Sequence, residues 1–253
     1  MTTSARQFVE TAQLLGVDFV PVANPHSHPH SPPLSPPHSH LSPPAGIADG
    51  ADGAGARAED ASEPRPDPAA ALAALRERYE REGRVPKLIT GWTNIVFGVG
   101  DPDADLMFVG EAPGADEDAA GEPFVGRAGQ KLNEMIRAMG LSREEVYIAN
   151  VLKVRPPNNR TPSAEEAAAD GPWLLEQINI IQPRVILTLG KPAAHFLLGR
   201  SDAMGDLRGR WFEHRGIPVM PTYHPAYLLR AYTAENRKKV WSDLQQALSR
   251  LGG

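Results

Sequence analysis

The sequence predicts a three-layer α/β/α fold, helices covering both faces of a mostly parallel central sheet of about four strands. Two observations predict it. From about residue 69 onward, short apolar runs of strand length (DLMFVG, VYIANVLKV, RVILTL, VMPTY) alternate with segments whose apolar residues recur at helical spacing. The runs are apolar almost throughout, as strands buried on both faces are, rather than alternating as half-exposed strands do.

Residues 5–19 place Phe8, Val9, Ala12 and Leu15 on one face of a short amphipathic helix, giving an N-terminal tip at 1–20 that either docks on the core or serves as a partner-binding tip on a tether. Residues 21–68 hold 12 of the 25 prolines and five of the eight histidines (His26, His28, His30, His38 and His40), with almost no large apolar side chains. Such a stretch cannot bury enough surface to offset its ordering entropy and reads as a disordered linker. The remainder, 69–253, reads as one globular domain. It opens with an alanine-rich helix, Ala69–Glu82, and continues with a strand at Asp105–Gly110. The helix Gly126–Met139 follows, with Leu132, Met135, Ile136 and Met139 on one face and Gly140 beyond its end. Val146–Val154 is the second strand; Ser163 and Glu166 form a capping box opening a helix to about Ile180. Arg184–Leu189 is a strand, Pro192–Leu198 a short helix, Val219–Tyr223 a strand, and Ala234–Leu251 a terminal helix.

The chain has 253 residues, net charge −5 and no cysteine, which excludes disulfides, a thiol nucleophile and any site held by cysteine sulfur. No apolar run reaches the roughly 20 residues that span a bilayer, and the first residues lack the basic and apolar regions of a signal peptide, so a soluble cytoplasmic monomer is expected. Residues 1–84 carry 7 basic and 11 acidic side chains and residues 85–253 carry 19 and 20. The second part is thus near neutral, and its basic clusters (Lys153, Arg155 and Arg160; Arg230, Arg237, Lys238 and Lys239) form either a positive face for nucleic acid or an ordinary solvated surface.

In a parallel sheet the ligand sits beyond the carboxyl ends of the strands. The first strand is followed by GEAPGADEDAAGEPFVGRAGQ, whose Gly110–Ala112 amides can hold a carbonyl or phosphate oxygen; it matches neither the P-loop nor GxGxxG. Glu111 is either a functional carboxylate or a turn residue, and Phe124 either a stacking platform or a core aromatic. Asn150 ends the second strand with a donor and an acceptor side by side, which suits a pyrimidine edge and equally suits a buried amide bonded to backbone. The run TYHPAYLLR puts His224 at another strand end, with Tyr227, Leu228, Leu229 and Arg230 on the loop after it.

Taken as an ordered set, GEAPG, EPFVGRAGQKL, IANVLKVRPPNNRTP and HPAYLLR resemble the family 4 uracil-DNA glycosylases, over about 160 residues from Thr93 to the end. The resemblance implies a uracil-DNA glycosylase-like fold and hydrolytic excision of uracil from single- and double-stranded DNA, leaving an abasic site. It assigns Glu111 to the hydrolytic water, Phe124 to stacking on the flipped base, Asn150 to its edge and His224 to uracil O2. Gly110 and Ala112 belong to the same pocket, Asn159 supports it, and Tyr227–Arg230 inserts into the duplex. Lys153, Arg155 and Arg160 would face DNA beside it. The family also implies a four-iron cluster on four cysteines; Val154 and Asp170 stand at the two later positions and no cysteine occurs near Gly83–Pro86, so the expectation is a chain without cofactor or metal. Two other readings remain open: a non-catalytic binder of damaged or single-stranded DNA, and a glycosylase for other deaminated bases. Covalent trapping of the abasic sugar is disfavoured, because Ala112 replaces the Gln of trapping relatives and 126–150 lacks their inserted His-containing loop.

Overall fold

The computed structural model describes residues 67–252. The helix expected at 5–19, nearly all of the Pro/His tract and the proposed partner-binding tip lie outside the described residues.

The domain begins with α1 (Pro68–Glu82), where Asp67 accepts the Ala69 N–H and Pro68 needs no hydrogen-bond acceptor in the first turn. A short α2 (Val85–Leu88) follows. The sheet has six strands: β1 (Val99–Gly100), β2 (Leu106–Gly110), β3 (Tyr147–Asn150), β4 (Val185–Leu189), β5 (Phe212–His214) and β6 (Ile217–Thr222). Their order is β1-β3-β2-β4-β6-β5. The four strands legible in the sequence, β3, β2, β4 and β6, form a parallel centre, and β1 and β5 close the edges antiparallel. Neither edge strand is legible in the sequence, because two or three residues cannot display a periodicity.

Between the strands run α3 (Ala115–Ala120), α4 (Gly126–Ala138), α5 (Ala164–Ile181), α6 (Lys191–Leu198) and α7 (Met204–Leu207), and α8 (Pro225–Arg230) and α9 (Ala234–Leu251) follow the last strand. On one face of the sheet Leu106, Phe108, Ile148 and Leu187 pack against Leu132, Met135 and Ile136 of α4 and Trp241 and Leu244 of α9. On the other, Met107, Val109, Ala149 and Ile186 meet Leu174 and Ile178 of α5 and Leu197 of α6. Odd and even residues of each strand thus feed two cores, which is why the strands are apolar throughout.

Two expectations need correction. The second strand stops at Asn150 rather than Val154: the Val151 and Leu152 N–H groups turn to Gly110 O and Glu111 O, and the Lys153 N–H goes to Asp170. Residues 151–154 stay buried, so their apolar character is that of a covered crossing and not of a longer strand. The segment after His224 is a helix and not a loop. His224 is its N-cap, Nδ1 accepting the Ala226 N–H at 3.1 Å, with Pro225 in the first turn.

Candidate active site

The loops beyond β2, β3, β4 and β6 converge at the carboxyl edge of the sheet. Glu111 follows β2, Asn150 ends β3, Gly190 follows β4 and His224 stands two residues after β6; all four line one cavity of about 750 Å³. The strand after which the chain changes direction is central here, since β3 lies on one side of β2 and β4 on the other, the arrangement that opens a crevice for ligands.

Phe124 forms one wall. It is 4% exposed with φ +52°, a left-handed backbone that an aromatic residue adopts only when its surroundings dictate it. Arg143 supplies that constraint by donating to Phe124 O and Pro123 O, and Gly129 lets helix α4 come so close that a Cβ there would lie 1.8 Å from Phe124 O. The ring lies 5.5 Å from the His224 ring at 34°. Gly110 is the floor: a Cβ on it would sit 2.2 Å from Asn150 Oδ1 and 2.6 Å from Phe124 Cζ. The amide and the aromatic can therefore meet only over a glycine.

Asn150 is 2% exposed, and its Oδ1 has no hydrogen-bond partner in the protein. A buried acceptor left unpaired costs free energy that a ligand donor can recover. His224 offers the converse. Its Nδ1 accepts from Ala226, so in the neutral ring the proton is on Nε2, which makes Nε2 a donor. Burial, helped by the charge of Arg230, lowers its pKa to about 4, so the ring is neutral at physiological pH. Burial raises the Glu111 carboxyl above its ordinary value, opposed by a hydrogen bond from Thr161. Ala112 lines the cavity and packs on the second core.

At the mouth, Asn159 is exposed and takes the Arg155 Nε–H on Oδ1 at 2.6 Å, while Arg160 lines the cavity and is paired with Glu166 at 2.5 Å. Leu229 and Arg230 of α8 line it too; Tyr227 stacks on Tyr223 at 4.7 Å. Two residues expected at the DNA surface are elsewhere. Lys153 is wholly buried, because its Nζ turns inward to Asn150 O and Gln177 Oε1, and Leu228 is 1% exposed, since the helical turn points it into the core beneath α8. Arg143, Thr161, Gly129 and Gly190 belong to the site and escaped the sequence reading. Only Gly129, a small residue in the first turn of a helix, carried any local signal.

The model of the family described as "Uracil DNA glycosylase superfamily" matches residues 97–245, which include every residue just named. The chain belongs to the uracil-DNA glycosylase superfamily. It is 50% identical to a type-4 uracil-DNA glycosylase of Thermotoga maritima over 159 residues, 62% of this chain and 83% of that one. A type-4 uracil-DNA glycosylase of Archaeoglobus fulgidus is 45% identical, over 61% and 80% of the two chains. A type-5 uracil-DNA glycosylase of Pyrobaculum aerophilum is 32% identical, over 54% and 68%.

The cluster implied by the resemblance to family 4 of this superfamily does not fit the donors present. The chain has no cysteine. Val154 is fully buried and apolar, and the Asp170 carboxylate is already taken by the Tyr79 hydroxyl at 3.0 Å and the Lys153 N–H at 2.8 Å. Among the described residues no group of three or more His, Cys, Asp or Glu is placed to hold a metal ion.

Proposed function

We propose that this chain is a monofunctional uracil-DNA glycosylase, which flips uracil out of DNA and hydrolyses the bond between deoxyribose C1′ and uracil N1. The observation that carries the reading is the pairing, in one cavity walled by Phe124, of a neutral His224 whose free nitrogen is a donor with an Asn150 Oδ1 that has no protein donor. Uracil presents the complement: carbonyl oxygens that accept and an N3–H that donates.

A base within a stacked duplex is out of reach, so it must be extruded at a cost of about a few kcal/mol. Phe124 stacks on the extruded ring, and Asn150 Oδ1 accepts from N3–H. As the C1′–N1 bond breaks, its electron pair goes to the uracil ring and positive charge grows on the sugar. The His224 Nε2–H donates to O2, and the Gly110–Ala112 amides add fixed donors where the negative charge collects. Glu111, acting as a carboxylate, orients the water that attacks C1′ and takes its proton. The proton taken by Glu111 returns through water to N1 of the uracil anion, which restores the carboxylate, and the products are free uracil and an abasic site. Leu229 and Arg230 fill the vacated stack, and Arg155 and Arg160 flank the strand. Every role is filled by a group of this chain, so no cofactor is called for.

The test is release of free uracil from single- and double-stranded oligonucleotides in the presence of EDTA, with the products resolved by chromatography. Wild type releases uracil; His224→Ala and Asn150→Ala each slow release by on the order of 10², while affinity for uracil-free DNA is unchanged. A wild-type protein that binds these oligonucleotides without releasing a base would instead be a damaged-DNA binder. Release of hypoxanthine or xanthine in preference to uracil would move the assignment to another deaminated base.

A further inference from the structure

A lysine with no exposed surface lies directly under the site. Lys153 Nζ donates to Asn150 O at 2.7 Å and to Gln177 Oε1 at 2.6 Å, and faces the Phe97 ring at 5.6 Å. Neither hydrogen-bond acceptor carries a charge. The neighbouring carboxylate of Asp170 is bound to the main-chain N–H of Lys153 and to the Tyr79 hydroxyl instead. Gln177 is itself fixed, since its Nε2 donates to Phe97 O at 2.9 Å and lies 3.3 Å from the Tyr147 hydroxyl.

Burying an ammonium group this way is costly, and desolvation holds its pKa below the ordinary lysine value, with Asp170 opposing. A methionine or leucine would fill the same space without that cost. What the amine adds is a donor for the last carbonyl of β3. The chain leaves the ladder there, and this carbonyl belongs to the residue whose side chain lines the cavity with its Oδ1 unpaired. The Asn150 side chain thus gets little guidance through its own acceptor, and its direction is set by its backbone.

We infer that Lys153 is a positioning residue for base recognition, its buried amine locking the Asn150 main chain and hence the angle at which the Asn150 amide meets the base. The inference rests on the reading of Asn150 as the residue that reads the uracil edge. The Gln177 and Asp170 contacts hold the amine and its backbone in turn, so the lock is anchored on α5, and through Tyr79 on α1.

The test is single-turnover release of uracil from a single-stranded oligonucleotide, which needs no base-pair opening, for wild type, Lys153→Met, Asn150→Ala and the double variant. Lys153→Met lowers the maximal rate by on the order of 10-fold or more and leaves the half-saturating concentration and the affinity for uracil-free DNA unchanged. In the Asn150→Ala background the same change costs less than about 3-fold, because the residue it positions is gone. Equal fold-losses in both backgrounds, or no loss in wild type, would overturn the inference.

A chain without cysteine also allows chemical rescue if the methionine variant folds poorly. Lys153→Cys, alkylated with bromoethylamine in denaturant and refolded beside wild type treated alike, regains an amine of lysine's reach with sulfur in place of one methylene. Its rate returns to within about 3-fold of the refolded wild type, while the unalkylated variant stays slow. A slow rate in both forms refutes the role of the amine. Failure of wild type to release uracil would refute the glycosylase reading itself, an outcome separate from any of these.

Discussion

His224 sits where recognition and stability are linked through one proton. Its folded pKa of about 4 lies below the unfolded value of 6.5, so between these values the unfolded chain binds more protons than the folded one. Stability therefore falls as the pH drops from about 6.5 to about 4 and gains nothing further from this group above 6.5. In thermal melts at constant ionic strength, the melting temperature of wild type declines over that window more steeply than that of His224→Gln, which has no proton to take up. Parallel declines would mean that the imidazole is not held neutral by the fold. At Gly110 a single methyl group tests the geometry of the floor. Gly110→Ala puts a carbon 2.2 Å from Asn150 Oδ1 and 2.6 Å from Phe124, so the amide and the ring must part. Uracil release falls by on the order of 10² or more, as expected when reacting groups are displaced by an ångström or so, with a folded circular-dichroism spectrum to show that the loss is local.

At the level of elements, α8 shows why only part of the site was legible. HPAYLLR signalled a functional stretch, and its proline and leucines also allowed a loop; Pro225 at the first turn and the His224 cap make it a helix, so adjacent leucines point about 100° apart around its axis. Leu228 enters the core and Leu229 lines the cavity. Leu228→Ala thus costs about 2–5 kcal/mol of stability in denaturant titrations. Leu229→Ala leaves stability within about 0.5 kcal/mol and slows excision from duplex more than from single strands. The reverse assignment of the two effects would mean that the helix is turned differently when DNA is bound. The central strands and α4, α5 and α9 were readable because each repeats a pattern over many residues. Phe124 in a left-handed backbone, the inward turn of Lys153 and the Arg143 bonds to Phe124 O and Pro123 O were not. Each depends on partners distant in the chain, and nothing in a local window marks a lysine as buried or an arginine as a brace.

Across the whole molecule, the region where the resemblance to cluster-bearing relatives implies four thiolates is held together by different means. Tyr79 of α1 has no exposed surface, bonds Asp170 of α5, and packs against Phe97 at 5.9 Å and edge-on against Trp173 at 5.3 Å. Together with Leu75 this joins α1 to α5 and to the segment entering the sheet, so α1 is part of the domain and not an extension of the tract before it. Among the described residues both faces of the sheet are covered and the cavity is lined from the loops beyond β2, β3, β4 and β6. A chain starting at residue 67 keeps every described residue of the core and the site, whereas one starting at residue 84 lacks Leu72, Leu75 and Tyr79. Removal of residues 1–66 leaves the melting temperature within about 2 °C and the single-turnover rate within about 2-fold of the full chain, because the tract's composition offers almost no large apolar side chains to a packed surface. Removal of residues 1–83 exposes the partners of Tyr79 and leaves Asp170 without its hydroxyl donor, and the melting temperature falls by on the order of 10 °C or more. Scanning calorimetry and the uracil-release assay on the two truncations decide it: a large loss already at residue 67 would make the N-terminal tract part of the working enzyme, and no loss at residue 84 would remove α1 from the brace.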